Sequence, residues 1–154
     1  VASQGARLLA HPAVPCRVSG GGAHTKAFSS GCYGTDFLIR TVREQKVMSL
    51  EEAHYQLSFK IARMLGIEGR GAILPGHHAD IIIYDLDDLH LDRSRHRIVH
   101  DLPGGDWRRL VDAGGYSRVL VNGKTTFIDG KPTGSVPGRL IGGEDQDEWA
   151  VAAE

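Results

Sequence analysis

Several things are scarce in this 154-residue sequence. There are only two cysteines, Cys16 and Cys32, and they do not form a C-x-x-C pair. Two cysteines make no disulfide framework. Aromatic residues make up 6% and are scattered, too few for a base-stacking surface. Neither charge sign is in excess: 18 Lys and Arg stand against 19 Asp and Glu, for a formal net charge of −1. That balance gives no electrostatic reason to expect nucleic acid or an anionic membrane as partner. No apolar run is long enough to span a bilayer. The amino end, Val1-Ala2-Ser3-Gln4, shows neither an initiator methionine nor a signal-peptide pattern, so the expectation is a cytoplasmic chain cut or trimmed from something longer. Hydrophobic content of 41% and charged content of 24% are ordinary for a packed globular core.

Around Arg17-Val18-Ser19-Gly20-Gly21-Gly22-Ala23-His24 the rest of the chain is organised. A strand-like run, Val14 to Val18, precedes it, and a Ser- and Gly-rich loop follows to Tyr33. Three consecutive glycines let the backbone turn sharply and approach closely whatever lies above the strand end. His24 can face the same space, as strand-end loops do in α/β folds. A plain glycine connector with a solvent-facing histidine fits the spacing equally well. Upstream, Ser3 to Leu9 reads as a short helix stopped by His11-Pro12. Downstream, Thr35 is expected to cap a helix from Asp36 to about Gln45, with Leu38 and Val42 on one face.

The best-specified element begins at Ser49. Ser49-Leu50-Glu51-Glu52 is a capping box, and Leu50, Ala53, Leu57, Ile61 and Met64 recur at helical spacing, which predicts a helix over 50–65 closed by Gly66. His54 and Tyr55 on it read as packing or surface residues. After Gly66 the texture becomes β. Ala79 to Tyr84, Tyr116 to Val121 and Lys124 to Ile128 read as strands, the last two joined by the hairpin signal Asn122-Gly123. Asp129-Gly130 marks another tight turn, Val136 to Ile141 a further short strand, and Asp106 to Arg109 a loop or short helix. His77 and His78 read as exposed loop residues. His96 and His100 would share one face of a helix, but Ile98 and Val99 fit a strand as well, and no H-E-x-x-H is present. The glycine run lacks the spacing of a phosphate-binding loop, and Ser19 lacks that of a nucleophile elbow.

Ser19-Gly20-Gly21-Gly22-Ala23-His24 resembles the S-D-x-G-A-H signature of metal-dependent amidohydrolases of the N-acyl-D-amino-acid deacylase (D-aminoacylase) type, with Gly20 at the family's aspartate. Three later passages are similar to that family in the same order. They are Gly69 to Ile81, with Pro75-Gly76 and Ala79-Asp80, then Val119-Leu120-Val121-Asn122-Gly123, and Gly134 to Leu140 with Pro137-Gly138-Arg139. The resemblance implies an α/β plus β architecture: the last strand and helices of a TIM-like barrel over 1–68, strands of a small β-sandwich over 69–141, and a disordered acidic tail over 142–154. It implies that Ser19, Gly20, Gly21, Gly22 and His24 line a site, and that the parent uses zinc to hydrolyse the amide C–N bond of a small N-acyl amino acid. The family's aspartate would act there as general acid and base.

A (β/α)₈ barrel takes roughly 250 residues, whereas fewer than 70 precede the boundary, so the missing amino-terminal part of the barrel and sandwich is an expected partner. With glycine at position 20 the family's ligand set leaves no intact catalytic residue and no metal ligand here. The expectation is a fragment inactive by itself. The alternative is a non-enzymatic remnant or small β-rich interaction module.

Overall fold

A computed structural model describes Lys26 and residues 31–92, 94 and 96–141. The expected helix over Ser3 to Leu9, strand over Val14 to Val18, stretch Ser19 to His24 and tail 142–154 lie outside the described residues.

The first helix, α1, starts at Tyr33–Phe37 and continues with wider π-type winding through Leu38–Glu44. It begins earlier than Thr35 would have it. Thr35 does not cap, because its hydroxyl is buried and shares a 2.7 Å hydrogen bond with the Tyr116 hydroxyl. Asp36 instead holds Arg40 one turn on, at 2.9 Å. Leu38 and Val42 do share the inward face.

The second helix, α2, runs through Leu50–His54, a π-wound Tyr55–Phe59 and Lys60–Met64. Its cap is the expected one: the Glu52 amide donates to Ser49 Oγ at 3.1 Å. The Glu52 carboxylate looks along the helix, accepting from Gln56 Nε2 at 2.6 Å, while Lys60 Nζ donates to Gln56 Oε1 at 2.9 Å. That i, i+4 chain lets Gln56 and Lys60 be buried, Lys60 to 4% exposure, because their polar ends are satisfied along the helix. Met64, expected on the inner face, is exposed.

The β part is antiparallel throughout. Strands β1 (Ile81–Tyr84), β6 (Tyr116–Val121), β7 (Lys124–Ile128) and β8 (Lys131–Pro132) form one sheet in the order β1-β6-β7-β8. Two ribbons accompany it, β2 (His90–Leu91) with β5 (Ala113–Gly114), and β3 (Arg97–Val99) with β4 (Arg108–Leu110). Asn122 and Gly123 turn the β6–β7 hairpin with φ of 47° and 76°, as the sequence requires. Two expectations fail, and one choice left open is settled. Asp106 to Arg109 runs into a strand, preceded by a 3₁₀ turn at Pro103–Gly105. His96 and His100 flank the extended β3 and share no helix face. Among the described residues, 136–141 pair with no strand, since Pro137 has no amide to donate and Val136 and Leu140 project outward, Val136 at 92% exposure.

Helices and sheet share one core of Phe37, Leu38, Ile39, Ala53 and Leu89, with Tyr84, Leu86, Leu91 and Tyr116 packed against it. The main sheet carries apolar side chains on both faces. Cross-strand partners Ile82, Val119 and Phe127 lie on one side and Ile83, Arg118 and Ile128 on the other. Ile82, Ile83, Phe127 and Ile128 all stand partly open to solvent. Such a sheet is built to be covered. No helix among the described residues is long and apolar enough to cross a membrane.

Leu38→Ala should destabilise the chain by about 2–5 kcal/mol, the cost of a cavity in a closed core. Val136→Ala should stay within about 0.5 kcal/mol. Urea unfolding of the two variants checks this, and equal midpoints would mean that the core is not centred on Leu38.

Candidate functional site

Three constellations of side chains stand out. The first joins passages far apart in sequence. Arg70 donates through one nitrogen to the Asp80 carboxylate and through Nη2 to Asn122 Oδ1 at 2.8 Å. The other Asp80 oxygen accepts the Asn122 amide at 2.8 Å, and Asn122 Nδ2 donates to the Pro137 carbonyl at 2.8 Å. The Gly123 amide completes the knot on the Ala79 carbonyl at 2.9 Å. Burial works against the Asp80 charge, but the Asn122 amide and Arg70 guanidinium outweigh it and hold this carboxyl below its ordinary value. With its acceptors filled by backbone and arginine, Asp80 serves as a structural anion.

The second constellation bolts the helices to the sheet. His54 Nε2 and the Tyr84 hydroxyl share a 2.6 Å hydrogen bond, and Tyr84 and Tyr116 rings meet at 5.9 Å. Arg43 Nη1 donates to the carbonyls of Leu86, Asp87 and Leu89 at 2.9, 3.0 and 2.7 Å. Burial lowers the pKa of His54, with Glu51 opposing, and burial followed by Tyr116 raises that of Tyr84. His54 is thus a packing residue, as its place on the helix suggested.

The third lies on the β3–β4 ribbon. Arg97 grips Asp112 bidentately at 2.7 and 2.6 Å, and Arg108 grips Asp101 at 2.8 and 2.6 Å. Those arginine hydrogen bonds hold both carboxyls low. Between the pairs, Lys26 binds Asp106 at 2.7 Å, its ammonium lies 5.5 Å from the Trp107 ring, and its carbonyl accepts from Arg109 Nε at 2.8 Å.

Ser19, Gly20, Gly21, Gly22 and His24 lie outside the described residues, and Lys26 is the described residue nearest to them in the chain. Among the described residues the other histidines do not converge. His78 is exposed and His77 half-buried, while His90 Nδ1 bonds the Asp88 carbonyl and His100 Nδ1 that of Gly105. Among the described residues no group of three or more His, Cys, Asp or Glu could hold a metal ion, so they do not fit one and no step through a metal is derived from them. An open depression of about 500 Å³ between β1, β5 and β6 is lined by Tyr84, Asp85, Gly115 and Ser117 among others. The Arg70–Asp80–Asn122 knot was signalled by its motif passages. The Lys26–Trp107–Arg109 cluster had no signal, because Lys26 stands 81 and 83 positions before the other two.

Known proteins set this architecture in a class. Solved structures of a D-aminoacylase, one of them concerned with the functional role of its binuclear metal center, share the fold. The TM-score is 0.51 at 24% identity, over 66% of this chain and 19% of that one. An N-acyl-D-glutamate deacylase of Alcaligenes xylosoxydans xylosoxydans is 32% identical over 107 residues, which is 70% of this chain and 20% of the relative. A dihydroorotase of Lactobacillus johnsonii is 44% identical over 94 residues, 60% of this chain and 20% of the relative. The sequence profile of the Amidohydrolase family matches residues 12–127. The chain belongs to the amidohydrolase family and is of the D-aminoacylase type. It spans about a fifth of the length of these relatives.

Two pH effects follow. His54 has a lowered pKa in the folded chain, so stability is lost as pH falls below its ordinary value of about 6.5 toward the folded one. Denaturant unfolding at pH 7.5 and 5.5 should differ less in His54→Gln than in the parent chain, and an identical difference would remove His54 from the effect. Asp80 is also lowered, so its contribution is present above about pH 3.9 and lost as pH falls through its folded value. Asp80→Asn should cost about 1–3 kcal/mol at pH 7 and flatten the acid limb of the stability curve.

Proposed function

We propose that this chain supplies the carboxyl-terminal part of a metal-dependent amidohydrolase that cleaves amide C–N bonds of N-acyl amino acids or similar small amides, and that it is inactive by itself. The observation that carries the reading is the family match over residues 12–127, which takes in the glycine stretch, together with a deacylase among the relatives. In this reading 1–68 closes the barrel, 69–141 contributes strands to the sandwich, and 142–154 is a tail. The apolar, partly open faces of the main sheet support it, since they call for cover from further polypeptide. The dihydroorotase relative keeps the amide class broad.

The metal in such an enzyme supplies Lewis-acid activation, and its ligands belong to other parts of the polypeptide. This chain's part is to line the site. Ser19 and the three glycines bring backbone close to the substrate, and His24 offers a polar group at the same mouth. Position 20 is where the family's acid–base aspartate stands. Glycine there has no side chain to take a proton, so the loss falls on kcat more than on substrate binding.

The purified 154-residue chain should show no turnover of N-acetyl-D-glutamate with or without zinc. Zinc-dependent deacylation abolished by a chelator would overturn the claim of inactivity. In a polypeptide completed to the length of its relatives, Gly20→Asp should raise kcat by about 10²-fold or more with little change in KM. Equal kcat values would mean that position 20 is not the acid–base position.

A further inference from the structure

The β3–β4 ribbon carries three arginines in a small space, and two of them are spent. Arg97 and Arg108 each hold an aspartate with both arms of the guanidinium. Arg109 differs. Its Nε donates to the Lys26 carbonyl at 2.8 Å, and its guanidinium carbon lies 5.8 Å from the Trp107 ring centre. Among the described residues no carboxylate lies within ion-pair distance of it. Asp106, the acid next in line, is taken by Lys26 at 2.7 Å. Lys26 and Asp106 cancel, so among the described residues the positive charge of Arg109 has no carboxylate to balance it.

The surroundings say what kind of anion it would suit. Using Nε on a carbonyl fixes the plane of the guanidinium and leaves the two terminal nitrogens as a fork, the geometry that matches a planar carboxylate. Ile98 is the cross-strand partner of Arg109, and Trp107 lies two residues before it, so all three stand on one face of the ribbon. Ile98 is 55% exposed and has apolar surface to offer. A fixed cationic fork beside an indole and an open isoleucine suits a carboxylate borne on an apolar body.

We propose that Arg109, with Trp107 and Ile98, is a binding site for the free carboxylate of an N-acyl amino acid. The identity of the ligand rests on the deacylase reading above, whereas the carboxylate site itself does not. The fork gives preference for acids over the corresponding amides. The two apolar neighbours favour a hydrophobic side chain or acyl group on the ligand.

The test uses the whole chain with Trp149→Phe, which leaves Trp107 as the one indole. N-acetyl-D-leucine is titrated while Trp107 emission is followed at constant ionic strength. N-acetyl-D-leucinamide and sodium chloride serve as controls. A saturable change in the millimolar range is expected with the acid and not with either control. Arg109→Gln should weaken it about tenfold, and Arg109→Lys, which keeps charge but loses the fork, should fall between. Circular dichroism of each variant verifies that the fold is retained. No saturable response, an equal response to the amide or chloride, or an unchanged affinity in a folded Arg109→Gln would overturn the proposal. Because the readout is binding rather than turnover, it is independent of whether the chain or its completed form deacylates anything. Acetate bound as tightly as N-acetyl-D-leucine would remove the apolar part of the site and overturn the assignment to N-acyl amino acids.

Discussion

The union of helices and sheet depends on one short turn, residues 85–89, and on the cation that holds it. Arg43 reaches from α1 and shares a single guanidinium nitrogen among three carbonyls of that turn. Charge-assisted bonds of this kind are about twice as strong as neutral ones. The turn can sit there only because Gly115 lets the chain pass behind it. A Cβ at Gly115 would lie 2.7 Å from the Asp88 carbonyl and the Leu89 amide, and the φ of +91° suits glycine alone. With the turn fixed, Leu89 is driven to 1% exposure between Leu38, Phe37 and Ala53. Loosening Arg43 would release three carbonyls, two of them partly buried, and withdraw the side chain on which both helices close.

The passages that carry the family resemblance owe their residue types to architecture. Asp80 and Asn122-Gly123 belong to strand ends 42 positions apart, yet each satisfies the other's backbone or side chain, with Arg70 bridging them. A carboxylate there accepts an amide and a guanidinium together, which a neutral amide cannot match in strength. Asn122 tolerates the positive φ of the turn while its side chain reaches Pro137. Motif matches at these positions therefore report that the sheet closes in the family's way. They report nothing of the glycine stretch.

Local chemistry was legible in the sequence wherever a few neighbouring residues decide the outcome. Ser49 with Glu52, and Asn122 with Gly123, announced a helix start and a hairpin because cap and turn geometry are set within four residues. Burial of Lys60 was illegible, since it depends on Glu52 and Gln56 forming a relay that only the folded helix assembles. Thr35 looked like a cap because its tertiary partner, the Tyr116 hydroxyl, is 81 positions away. The β3–β4 ribbon was missed for a related reason. Pro103-Gly104-Gly105 marks a turn well, but the strands on either side are only three residues long, too short to show an alternating pattern. Of the site, the glycine stretch was legible as a stretch, and its chemistry only through resemblance.

The contrast between Asp80 and position 20 then has a physical meaning. Asp80 answers a demand of the fold: remove it and an arginine and a backbone amide lose their acceptor, so the cost is felt in every molecule as lost stability. An acid facing a metal at a barrel mouth answers no such demand, because in the absence of metal and substrate its charge is a liability among other anions and open dipoles. In the reading proposed above, glycine at position 20 gives up what that acid would do during turnover. A chain can therefore keep all the ion pairs that close its sheet and still carry glycine where its family carries an aspartate. The retained scaffold says that the described residues fold as the matching part of the relatives does, and in the reading proposed above the residue that would set the rate is a different one from those that close the sheet.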